Sequence, residues 1–221
     1  MAPASSDAAM AGMAMVAPWT LYELAFLFWM WAVMMVGMMA PSVTPAMLVF
    51  AAAQARRVAG HARLAVPMFA LGYALVWLGF SACAALAQWA LHDTALLSAS
   101  MAASSERVGG TLLCAVGVYQ WLPLKRACLI RCRSPLAFLM ARWRDGTLGA
   151  LRMGVRHGAW CLGCCFALMT ALFAVGVMNL VAVAALALFV LVEKSGPAGV
   201  AVARLGGVLM IAAGIAVFVS S

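Results

Sequence analysis

Charge is what this sequence has least of. Only 9% of its 221 residues are Asp, Glu, Lys or Arg, against 67% hydrophobic. A soluble core of that length could not bury so large an apolar excess, so a water-soluble globular domain is excluded and a membrane protein of several helices is expected. No nucleotide-binding loop or phosphorylation domain is present, which excludes ATP-driven pumping by this chain alone. No basic run opens residues 1–18, which are small and polar and carry Met10, Met13 and Met15. A flexible tail is expected there and no signal peptide. A secreted disulfide framework is also missing, because the seven cysteines lie in or beside apolar runs. Ferredoxin-type cysteine spacings are absent too, which counts against an iron–sulfur cluster. The formal net charge of +8 does not point to nucleic acid, since the basic residues are distributed as membrane loops are.

What is present is a series of apolar runs. A span needs about 20 apolar residues, and the runs place spans at about residues 24–45, 65–91, 108–122, 158–177, 179–194 and 203–219. The fold expected is an all-α polytopic helix bundle: about six transmembrane helices and one interfacial amphipathic helix, in a single domain over residues 19–221. Trp19, Tyr22, Trp29 and Trp31 supply interface anchors for the first span, and Pro41 and Pro45 interrupt it near its far end. The uncharged run 158–192 is too long for one span, and a break at Gly176-Val-Met-Asn179 would divide it. Ser134-Pro135 signals a helix start. Leu136, Leu139, Met140 and Trp143 then repeat at helical spacing, so residues 135–145 read as a helix lying on the bilayer surface.

The basic residues orient the bundle. Thirteen of the fourteen Lys and Arg fall in the segments after spans 1, 3 and 5; the exception is Arg107. Those segments are expected in the cytoplasm, with both termini outside, in a bacterial inner membrane.

Soft ligands then converge. On a helix, His157, Cys161, Cys164 and Cys165 fall in a sector about 100° wide. With span 4 starting near residue 158, they occupy its first two turns on the cytoplasmic side. Cys128 and Cys132 follow span 3 on that side, and Met30, Met34 and Met38 form a stripe toward the same end of span 1, with Met35 and Met39 beside it. Thiolates and thioethers favour Cu(I); with imidazole they also suit zinc, and iron is a further alternative. The candidate metal ligands are therefore Cys161, Cys164, Cys165, His157, Met38, Met34, Cys128 and Cys132. Each has a plainer reading. Met fills membrane cores, and Cys128 and Cys132 could be two reduced surface thiols. His61 and His92 could be interfacial, and Glu193-Lys194 the charged surface end of a helix, although it faces the compartment of the cysteines and a supporting or gating carboxylate there stays open.

The motifs Trp31…Met34-Met-Val-Gly-Met38-Met39-Ala-Pro41-Ser, Gly117-Val-Tyr-Gln120-Trp-Leu-Pro123-Leu-Lys125…Cys128…Cys132-Arg-Ser-Pro135, His157-Gly…Cys161-Leu-Gly-Cys164-Cys165…Met169, and Gly176-Val-Met-Asn179 with Glu193-Lys194 occur in order. Over roughly residues 24–215 the chain resembles a bacterial family of predicted metal-binding integral membrane proteins. The resemblance implies metal binding in a membrane and assigns no catalytic residue.

Three functions compete. A copper-handling protein would hold Cu(I) in the cysteine cluster and pass it to a membrane metalloenzyme or a small metallochaperone. A thiol oxidoreductase would use Cys161-Leu-Gly-Cys164 at a helix start, where the dipole lowers a thiol pKa; a cytoplasmic placement opposes it, because thiols there are kept reduced. A structural or assembly subunit would use Gly206, Gly207 and Gly214 for packing against other membrane subunits.

Overall fold

The computed structural model describes residues 20–55, 62–93, 105–134, 139–140 and 143–220. Among the described residues the regular structure is all helix, with no strand. The helices are α1 (Leu21–Ala55), α2 (Ala62–Asp93), α3 (Glu106–Tyr119), α4 (Pro123–Arg133), α5 (Gly146–Thr170), α6 (Leu172–Val175), α7 (Leu180–Ser195) and α8 (Gly199–Ser220). The tail 1–18 and His61 lie outside the described residues, as does most of the expected interfacial helix 135–145.

Local chemistry explains the ends. At α1 the Thr20 backbone N–H donates to the Glu23 carboxylate at 2.6 Å. The Glu23 N–H donates back to the Thr20 hydroxyl at 3.4 Å, a reciprocal capping box. At α7 the Asn179 side chain accepts from the Ala182 N–H at 3.1 Å. Gly176, at φ 95°, turns the chain before it. Pro123 opens α4 after a three-residue turn, where its missing N–H costs nothing.

Two boundaries differ from the sequence reading. Pro41 and Pro45 do not interrupt α1, which runs through both to Ala55. In an apolar helix the carbonyls that proline frees, here those of Gly37 and Pro41, can be re-satisfied by neighbouring groups and local adjustment. Further on, α5 begins at Gly146 rather than near residue 158. Its first turns looked like a basic loop, yet Gly149, Ala150, Met153, Gly154 and His157 bury one face while Arg152 and Arg156 stay exposed.

Four helical stretches are long and apolar enough to cross a membrane: Leu21–Ala55, Leu64–Leu91, Gly146–Val175 and Gly199–Ser220. Helices α3 and α7 stand where the third and fifth of six spans were expected, but have 14 and 16 residues. At the helical rise that is about 21 and 24 Å, short of a hydrocarbon core of about 30 Å.

Packing sets the directions. Phe50 of α1 stacks on Phe69 of α2 at 4.8 Å, while Trp31 meets Phe80 at 6.2 Å, so α1 and α2 are antiparallel. Gly154 abuts the Phe69 carbonyl and Gly158 the Tyr73 carbonyl, so α2 and α5 run parallel, backbone against backbone. Gly110 faces Gly214 and Gly117 faces Gly207, each at 2.7 Å from a hypothetical Cβ to the facing carbonyl oxygen. Thus α3 and α8 are antiparallel and close, as small-residue seams between apolar helices are. Trp31, fully buried, donates its indole N–H to Gln88 at 2.7 Å and stacks on Phe173 at 5.2 Å.

Gly154→Ala, whose methyl would enter the Phe69 carbonyl, is expected to lower unfolding stability in detergent by about 1–3 kcal/mol. Gly37→Ala meets open space and is expected to stay within about 0.5 kcal/mol of the parent. Equal losses for the two would count against the backbone contact.

Candidate metal centre

The cysteine face of α5 points inward. Cys161, Cys164 and Cys165 are each 1% exposed, as is His157. They lie deep inside α5, which begins at Gly146. The helix-start argument for a low Cys161 pKa therefore lapses, because the dipole effect fades within the first turn. The Cys164 and Cys165 thiols donate back to the Cys161 carbonyl at 3.0 and 2.9 Å.

Helix α4 crosses this face. Its buried side carries Lys125, Cys128, Leu129 and Cys132, at the i, i+3, i+4, i+7 spacing of one helical stripe. Cys132 lies beside the Cys161 and Cys164 thiols. Cys128 sits against Gly163, where an added Cβ would come within 2.8 Å of its sulfur. The two are thus not surface thiols, because their stripe faces α5 while Arg126 and Arg131 face outward. Helix α4 lies outside the candidate membrane spans. The neighbouring Cys161 and Cys164 thiols, then burial, push the Cys132 thiol well above its ordinary pKa. Burial, then Cys164, pushes the Cys128 thiol up, against the pull of Arg131.

Two further helices close the centre. From α2 the Tyr73 hydroxyl lies 3.1 Å from the Cys161 sulfur. From α7 the Lys194 ammonium reaches in, 3.0 Å from Cys161 Sγ, 3.8 Å from Cys165 Sγ and 3.4 Å from Met39 Sδ of α1. Its neighbour Glu193 pairs with Lys125 at 2.7 Å, both side chains essentially fully buried. Glu193-Lys194 is therefore not a surface helix end: the chain returns here against α4 and α5, and each charge is matched inside. The Tyr119 hydroxyl donates to the Gly163 carbonyl at 2.5 Å and ties α3 to the same turn.

The methionine reading shifts by one residue. Met35 and Met39 are fully buried, Met38 is buried in the core and Met34 is half-buried. It is Met39 that stands at the Lys194 ammonium. The rotation of α1 is set by packing of Trp31 and Phe50 against α2, and Met39, one residue and so about 100° on from Met38, is the methionine that meets α7. His157 lies one turn before Cys161, its ring centroid 6.0 Å from those of both Phe69 and Tyr73. The His92 side chain lies outside what is described.

All seven cysteines are free thiols, with Cys83 exposed and Cys114 half-buried. Among the described residues, no group of three His, Cys, Asp or Glu side chains stands as a ready-made metal cage. What the arrangement offers is sulfur: five thiols from two helices, and a thioether beside an ammonium. Tyr73, Lys194 and Lys125 are the members that sequence reasoning missed as parts of a centre, while Glu193 was open to a supporting role. Their signal was present as polar residues embedded in or abutting apolar runs.

A family model described as "PpoB2: Copper chaperone" matches residues 28–217. Among curated proteins and among solved structures, none matches the chain.

The buried pair yields a double-mutant test. Lys125→Met, which strands the Glu193 carboxylate, is expected to cost about 3–5 kcal/mol of unfolding stability. Lys125→Met with Glu193→Leu is expected to recover most of it. Losses that simply add in detergent denaturation would show that the two side chains do not act as a pair.

Proposed function

The chain belongs to the PpoB2 copper chaperone family, and from that premise we propose that it is an integral membrane protein that carries Cu(I) in its buried sulfur cluster. The ion is cargo: it is taken up, shielded and handed on. Cys161, Cys164 and Cys165 are the principal ligands, with Cys132 and Cys128 from α4 at their side. His157, one turn away on α5, is an auxiliary ligand, while Met39 takes the part first assigned to Met34 and Met38.

The observation that carries this reading is the meeting of buried sulfurs from α1, α4 and α5. Soft thiolate and thioether donors suit Cu(I) better than they suit hard cations, and better than the imidazole and carboxylate sets that zinc and iron enzymes use. Burial keeps water and dioxygen from the bound ion. Binding displaces thiol protons, so loading is coupled to proton release. An apolar cavity of about 160 Å³ between α1 and α2, lined by Met39, Met47, Tyr73 and Trp77 among others, opens beside the cluster and gives the ion a thioether-lined approach.

Topology supports the rest of the proposal. The four long apolar stretches are consistent with insertion in a membrane, and the bias of Lys and Arg to one set of loops favours placing those loops in the cytoplasm of a bacterium. The short α3 and α7 complete six crossings by packing against longer neighbours. The recipient is a membrane metalloenzyme or a small metallochaperone, reached from the loop side.

Purified protein loaded with Cu(I) under reducing conditions is expected to retain copper through desalting. Combined Cys161→Ser, Cys164→Ser and Cys165→Ser is expected to abolish that retention. Cys83→Ser with Cys114→Ser, which lie apart from the cluster, is expected to leave it unchanged. Elemental analysis decides; the same copper content in all three proteins would sink the assignment.

A further inference from the structure

Lys194 is an unusual neighbour for a metal site. Its side chain is buried, 8% exposed. A buried ammonium must be matched by a negative or strongly accepting partner. The adjacent carboxylate, Glu193, is engaged by Lys125 through both oxygens, at 2.7 and 3.0 Å. What faces the Lys194 nitrogen is sulfur: Cys161 at 3.0 Å, Met39 at 3.4 Å and Cys165 at 3.8 Å. The ammonium is therefore lodged among atoms that are the natural grip for a soft metal ion.

We propose that Lys194 is a resident cation that holds the sulfur cluster in the empty state, and that an arriving monovalent soft metal ion exchanges with it. The inference rests on the copper reading above and adds a release device to it. Metal–sulfur bonds are about 2.3 Å long. An ion bonded to Cys161 and Cys165 cannot share that space with a nitrogen 3.0 Å from one of them, so loading requires the ammonium to withdraw. The lysine stem has four rotatable carbons and permits this. One monocation leaves and one enters, so the exchange itself is charge-neutral; each further thiol that becomes a ligand gives its proton to solvent on loading and regains it on unloading. Unloading runs the other way: as the ion departs, the ammonium returns to the Cys161 sulfur and removes the cost of leaving it bare. Lys194 thus lowers the barrier to hand-over, which a carrier needs more than it needs tight retention.

Ag(I), a soft monovalent ion that is not readily oxidised, is the probe. The full-length protein in detergent is loaded with Ag(I) and mixed with excess competing thiol chelator, and the release rate is followed. Lys194→Met is expected to load normally and to release about tenfold more slowly, because no charge returns to compete for the sulfur. Lys194→Arg, which keeps the charge, is expected to release close to the wild-type rate. Release from Lys194→Met as fast as from wild type would overturn the proposal. A second measurement needs no variant: labelling of Lys194 by an amine-reactive reagent, quantified by mass spectrometry. Ag(I) loading is expected to raise that labelling in the wild-type protein, and unchanged labelling would overturn the exchange. The two readings fail differently. Equal Ag(I) content in wild type and Cys161→Ser protein would remove the metal site itself, whereas normal loading with unaltered release removes only the role given to Lys194.

Discussion

The close approach of α2 and α5 is the constraint on which the centre depends. Side chains normally hold helices 8–10 Å apart. Here Gly72, Gly154 and Gly158 let the two backbones touch. That contact brings the Tyr73 hydroxyl to the Cys161 sulfur and seals the cysteine face on one side. A bulkier residue at any of these positions would separate the hydroxyl from the thiol before it touched a cysteine. The glycines are thus as much a part of the centre as the sulfurs, although they carry no chemistry of their own.

The second organising principle is the matching of charge inside an apolar body. Two lysines and one glutamate are buried, and all three converge where α4, α5 and α7 meet. Lys125 and Glu193 neutralise each other; Lys194 turns to sulfur. Such groups contribute little net stability compared with apolar packing, since desolvation offsets most of the attraction. Their effect is on specificity of arrangement: α7 can settle in only one rotation, because any other leaves a charge against hydrocarbon. The Arg133 guanidinium donates to the carbonyls of Gly196 and Pro197 and fixes the end of α7 in the same sense.

Much of this was legible in the residues and some was not. The helical class follows directly from 67% hydrophobic residues in long uncharged runs. The inward stripe of Cys161, Cys164 and Cys165 follows from helical periodicity alone. The turn before α7 was marked by a glycine and a capping asparagine, whose roles are local. What periodicity could not supply was the start of α5, because Arg152 and Arg156 on its outer face made a helix look like a loop. Nor could it tell which methionine faces the centre, since Met38 and Met39 are neighbours and only packing of Trp31 and Phe50 fixes the rotation of α1. Proline at 41 and 45 misled in the same way: a rule drawn from water-exposed helices gave way to an apolar setting. Lys194 was hidden because a charged dipeptide ending an apolar run has a simpler explanation at the surface, and only tertiary structure removes it.

The contact between Met39 and Lys194 joins residues 155 positions apart. During synthesis the cysteines of α4 and α5 are made before residue 194. Until α7 arrives, those thiols lack both their ammonium neighbour and the carboxylate that steadies α4. A chain truncated before α7 would therefore present an open, unguarded sulfur face, and maturation of the site ends when that penultimate helix packs in place.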